Sequence, residues 1–126
     1  MIDTISEIKK IHRDIFTRFK YIPDKVLWGI DEHWEKEDEI PDTGVIKGDC
    51  DCFALACRKE CRKLDIPSRL VHVITETEEG HLVLSVEDWI LDNRYTSIMR
   101  KRDLDELYKW IRISGYEKGD PWHMIE

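Results

Sequence analysis

Three segments of this chain hold residue types that carry out covalent chemistry: Gly48-Asp49-Cys50-Asp51-Cys52-Phe53-Ala54, then Gly80-His81, then Leu91-Asp92-Asn93. A thiol attacks only as its thiolate, and a helix start favours that form through unpaired N–H groups and the positive end of the helix dipole. Cys50 opens an apolar-periodic run, so it is expected at such a start. The same amides lie close to where an oxyanion would form after attack on a carbonyl, and Cys50's own N–H is expected to help hold it. His81, opening a strand after Gly80, is placed to take the thiol proton and return it to the leaving group. Asp92 completes a nucleophile, base and orienter set by accepting the other ring N–H. A hairpin turning at Glu87-Asp88 would bring His81 and Asp92 nearly opposite each other.

Ile5, Ile8, Ile15, Phe16 and Phe19 recur at helical intervals and predict an amphipathic helix from Thr4 to about Phe19, with Thr4 and Glu7 as a capping box. Residues 21–47, with Pro23, Pro41 and Gly44, read as turns, one short helix near Trp28 to Trp34, and an exposed loop. From Cys50 the positions Ala54, Cys57, Cys61 and Leu64 form one apolar stripe of a helix that stops before Pro67. Arg69 to Thr75, His81 to Glu87 and Trp89 to Asn93 read as strands of an antiparallel sheet. A last helix is expected from Asp103, boxed by Glu106, through Leu104, Leu107, Tyr108 and Ile111. A tail whose Trp122 packs back on the domain follows.

The remaining reactive side chains have plainer readings. Cys57 and Cys61 are expected as packing residues, and Cys52 is either a second reactive thiol or a filler. Four cysteines within one short segment suit reduced thiols better than disulfides, and they lack the paired Cys-x-x-Cys knuckles of a zinc site. His12, His33 and His123 read as solvent-facing or partly buried without a catalytic duty. His72, between Val71 and Val73, is a weaker base than His81 because no acidic partner stands at hairpin distance. Glu35, Glu37, Asp38 and Glu39 read as a solvated loop.

With Tyr21, Asp24 and Trp34 preceding them, these segments stand in the order found in a known family. The chain resembles the bacterial transglutaminase-like cysteine peptidases, within the papain and transglutaminase-like thiol hydrolases. The resemblance implies a cysteine hydrolase with Cys50, His81 and Asp92 at the triad positions and a peptide or amide bond as substrate. It also implies calcium bound by Asp49 and Asp51, although two carboxylates fall short of the roughly six to eight oxygens calcium takes. No cofactor is required for the chemistry itself. Trp34 is either a neighbour of the site or a core anchor. Two departures stand out: Cys52 occupies a position where the family usually has aspartate, and no secretory leader is visible.

The 126 residues have room for one domain, 1–126, around one core. A net charge of −7 without a concentrated cationic face argues against nucleic acid, Arg100-Lys101-Arg102 being followed at once by acidic residues. No apolar run reaches membrane-spanning length, so a cytoplasmic protein acting on a protein or peptide is expected, its oligomeric state left open by the sequence. The expected architecture is α+β, the nucleophile helix packed on a small antiparallel sheet. Hydrolysis through a thioester on Cys50 is the leading reading. A transglutaminase-type acyl transferase would use the same residues, and a non-catalytic binding or regulatory module on the same fold is the alternative from another class.

Overall fold

A computed structural model describes residues 3–21, 40–117 and 120–125. The expected short helix near Trp28 to Trp34, the acidic run Glu35 to Glu39, Asp24, His33 and Trp34 itself lie outside the described residues. Helix α1 spans Thr4–Arg18 and buries Ile8, Ile11, His12 and Ile15. Its cap is Asp3 rather than the Thr4–Glu7 box, for the Asp3 carboxylate accepts from Ile5 N–H at 3.2 Å and from the Ser6 hydroxyl at 2.8 Å. A carboxylate one residue upstream out-competes a threonine hydroxyl for the orphan amides of the first turn. The chain then enters β1 (Phe19–Tyr21), which pairs in parallel with β2 (Ile46–Gly48), setting Tyr21 against Gly48. Strands of three residues are too short for alternation to announce them.

Helix α2, Cys50–Lys63, starts at an Asp49 cap whose side chain accepts from Asp51 N–H at 3.1 Å. It ends where Asp65 takes a positive φ of 55° and Pro67 follows. Ala54, Cys57 and Cys61 are fully buried as the stripe predicted, but so are Phe53, Leu55 and Arg58. The reason is position: α2 is sandwiched between α1 and the main sheet, so more than one of its faces meets protein.

That sheet has six antiparallel strands in the order β6-β5-β4-β3-β7-β8. They are β3 (Arg69–Ile74), β4 (Gly80–Val86), β5 (Trp89–Leu91), β6 (Met99–Arg100), β7 (Lys109–Ile113) and β8 (His123–Met124). The β4–β5 hairpin turns at Glu87-Asp88 in the expected register, Leu84 facing Leu91 and Val86 facing Trp89. Alternation sends Leu70, Leu82, Leu84 and Val86 into the core shared with the helices. Val71, Val73, Val83 and Ile90 point to the other face, where Leu104 and Tyr108 cover them.

The predicted last helix is replaced by a single turn, α3 (Lys101–Leu104), followed by β7. Trp110-Ile111-Arg112-Ile113 complete the open edge of β3, and that pairing overrides the helical spacing of Leu104, Leu107, Tyr108 and Ile111. Trp122 does pack against the helix-side core.

Candidate active site

Cys50, at the first turn of α2, and His81, at the start of β4, line one cleft of about 430 Å³ together with Tyr21, Thr75, Glu79, Asn93 and Arg94. A larger groove of about 630 Å³ sits at the opposite end of α2 and, among the described residues, is lined by no thiol or histidine. Two hairpins place the base. The β3–β4 pairing sets His81 against Val73, and the β4–β5 turn carries the chain back so that Asp92 lies one residue past β5. His81 Nε2 is 2.7 Å from Asp92 Oδ1, with His81 7% and Asp92 1% exposed.

Asp92 is held by more than His81. Its Oδ1 also accepts from Arg94 N–H at 2.9 Å, and its Oδ2 accepts from the Tyr108 hydroxyl at 2.5 Å. Burial pushes the Asp92 carboxyl pKa up, but the His81 contact, Tyr108 and the Arg94 amide outweigh it, so the pKa lies below the usual range and the group is ionised. Burial and the adjacent Asp92 in turn raise the Tyr108 pKa, keeping its hydroxyl a donor. Arg94 pairs with Glu76 and donates to the Tyr108 oxygen at 3.2 Å. Sequence reasoning missed Tyr108 because it counted that residue as one apolar position on a helix.

The nucleophile's surroundings differ from expectation. Burial first, then the charge of Asp51, push the Cys50 thiol up to about 12, against the lowering effect of the Leu82 N–H. The thiol donates to Asp51 Oδ1 at 3.6 Å. Desolvation and two flanking carboxylates therefore exceed the help of the helix start, and the resting group is a thiol. Cys57 and Cys61 are buried with raised pKa values, and Cys52 is buried as well. Cys52 fills space left by Gly48: a β-carbon on Gly48 would stand 2.2 Å from the Cys52 sulfur. That steric fit accounts for the glycine of the Gly-Asp-Cys segment.

The other candidates fall elsewhere. His72 lies on β3 with its Nδ1 facing Arg112 Nη2 at 3.4 Å, and His123 is exposed on β8. His12, expected at or near the surface, is completely buried, because it falls on the core-facing side of α1 with Ile8, Ile11 and Ile15. Asp49 and Asp51, the implied calcium ligands, are the helix cap and the thiol's acceptor. Among the described residues, no group of three or more histidine, cysteine or acidic side chains is arranged to hold a metal. Two carboxylates, one of them engaged in a cap, do not by themselves fit a calcium shell. No helix among the described residues is long and apolar enough to cross a membrane.

A cysteine at a helix start, faced across a cleft by a histidine–aspartate pair on an antiparallel sheet, defines a papain and transglutaminase-like architecture. The model of the bacterial transglutaminase-like cysteine proteinases, BTLCP, matches residues 2–126, and the chain belongs to that family: it is a cysteine peptidase of transglutaminase-like type. Among solved structures it is similar to calcium-bound LapG of Legionella pneumophila. The TM-score is 0.72 and the identity 21%, over 97% of this chain and 69% of LapG. A second LapG structure gives 0.71 at 22% identity over 94% and 70%, and the EGTA-treated form gives 0.67 at 17% over 98% and 68%. At these identities the likeness establishes the fold. Curated protein sequences give no match.

Proposed function

We propose that the chain cleaves a peptide or amide bond through a thioester on Cys50. The observation that carries the proposal is the 2.7 Å contact between His81 Nε2 and Asp92 Oδ1 at the wall of the cleft that Cys50 also lines. With Nε2–H donated to the carboxylate, His81 Nδ1 is the nitrogen left to take a proton. The Cys50 proton passes to it as sulfur bonds to the carbonyl carbon, and the oxyanion is met by the Cys50 N–H at the start of α2. His81 then protonates the leaving amine, the C–N bond breaks, and the thioester remains. Water attacks next, His81 takes its proton, and the acid is released with the thiol restored. Because the resting thiol is neutral, transfer to His81 is part of the attack and not a step completed beforehand.

No step of this scheme runs through a metal ion. The test combines alkylation with substrate capture. Iodoacetamide should label Cys50 faster than Cys52, Cys57 or Cys61, and His81→Ala should slow that labelling by about 100-fold. A peptide library should yield an acyl adduct on Cys50 by intact mass, and Cys50→Ala should abolish turnover by at least about 1000-fold. Equal, slow labelling of every cysteine would sink the reading in favour of a non-catalytic module. Transfer of the captured acyl group to added glycinamide faster than to water would assign the acyl-transferase variant.

A further inference from the structure

We propose that His12 is a positioning residue for the catalytic carboxylate, its ring holding the main chain of Asp92 where β5 ends. The inference rests on the reading of Cys50, His81 and Asp92 given above. The buried face of α1 consists of Ile8, Ile11, His12 and Ile15, and only His12 among these brings polar atoms into the core. A helix that docks through isoleucines gains no burial energy from an imidazole, which carries two nitrogens that need partners. His12 is nevertheless 0% exposed.

Its orientation is fixed from two sides. The Phe16 ring stacks on it at 5.8 Å between centroids, and the Phe53 ring of α2 meets it edge-on at 5.4 Å. These contacts aim Nε2 at the Asp92 carbonyl oxygen, 3.0 Å away and 80 residues distant in sequence. A carbonyl only accepts, so Nε2 carries the hydrogen and donates it. Nδ1 is then a bare lone pair, and it is buried without a partner among the described residues.

An imidazolium would place a second N–H at that apolar spot with no acceptor. Burial accordingly lowers the His12 pKa against the opposing pull of the Asp92 carbonyl and carboxylate, while Phe16 and Phe53 present only carbon. Asp92 needs an outside hold because the ladder of β4 and β5 stops at Leu84 and Leu91. The carbonyl's other donor, Tyr95 N–H at 3.3 Å, belongs to the same turn and moves with it. His12 ties that turn to α1, and so sets where the Asp92 carboxylate hangs relative to His81.

The test uses the full chain and the rate of Cys50 alkylation. His12→Leu fills the space without a donor, His12→Gln keeps a donor, and Ile8→Val loosens the same face of α1 without touching Asp92. Loss of positioning leaves Asp92 less able to support His81 as it takes the thiol proton, so attack slows. In His12→Leu the alkylation rate near neutral pH should fall about tenfold. His12→Gln should stay within about threefold of wild type, and Ile8→Val should lower the melting temperature while leaving the alkylation rate in place.

A His12→Leu rate matching wild type, or a glutamine variant as impaired as leucine, would overturn the proposal. Imidazole ¹⁵N shifts of the unmodified protein supply a readout that needs no variant. They should show the Nε2–H tautomer with Nδ1 unprotonated at neutral pH and titrating below the ordinary histidine value, and a protonated His12 at neutral pH would also overturn it. If Cys50 alkylation proves indifferent to His81→Ala, the reading of the site fails first and this inference with it.

Discussion

The Cys50 thiol is gripped by its own sequence neighbour, since Asp51 accepts its hydrogen and adds a negative charge beside the sulfur. Removing that charge while keeping the shape should favour the thiolate. Asp51→Asn is therefore expected to lower the Cys50 pKa and to speed iodoacetamide labelling at neutral pH by about tenfold, read by site-resolved mass spectrometry; unchanged or slower labelling would mean that the carboxylate does not control the thiol. Asp92 shows the opposite arrangement: its buried charge is met by His81, Tyr108 and a backbone amide, so it stays ionised despite burial. The roles of Cys50, His81 and Asp92 were readable as expectations from residue type and order. Tyr108 and His12 were not, because their value lies in contacts 16 and 80 residues away along the chain.

Among the elements, α2 matters most, and its start is built from Gly48 and Asp49. Asp49→Ala removes the cap and should cost about 1 kcal/mol, measured by urea unfolding. The cap does not depend on a metal, so the loss should be the same in calcium and in EGTA; a loss confined to calcium would make Asp49 a metal ligand instead. Gly48→Ala would press a methyl onto the Cys52 sulfur and should destabilise by about 1–3 kcal/mol. Adding Cys52→Ala removes the sulfur but leaves the Cys52 β-carbon 2.7 Å from the new methyl and the positive φ of Gly48 unchanged, so it should recover only part of that loss, and simple additivity of the two changes would disprove the sulfur's share of the clash. The β4–β5 hairpin was legible because its turn and alternation are local. Strand β7 was not, since its partner β3 lies some 40 residues earlier and the local spacing favours a helix.

For the molecule as a whole, two buried groups give stability the same dependence on pH. The His12 pKa is lowered, so its contribution is present above the unfolded histidine value of 6.5 and is lost as pH falls through the folded value. The Asp92 pKa is also lowered, so its contribution is present above 3.8 and disappears in stronger acid. Melting temperature should therefore begin to drop just below neutrality and drop again in strong acid. His12→Gln should remove the first step and leave the second, and a wild-type curve flat down to about pH 4 would contradict the assignment. Sequence alone determined the chemistry on offer, the helix that begins at Cys50, the hairpin that brings Asp92 back towards His81, and the buried cysteines beneath the nucleophile, because these depend on residue type and near-neighbour periodicity. Only the tertiary structure decided that Asp51 holds the thiol proton, that Tyr108 and His12 grip Asp92, and that the last helix gives way to a strand. Asp51 adjoins Cys50 in the sequence, but the burial that makes its charge count, the reach of Tyr108 and His12 to Asp92 and the edge pairing of β7 exist only in what the folded chain brings together.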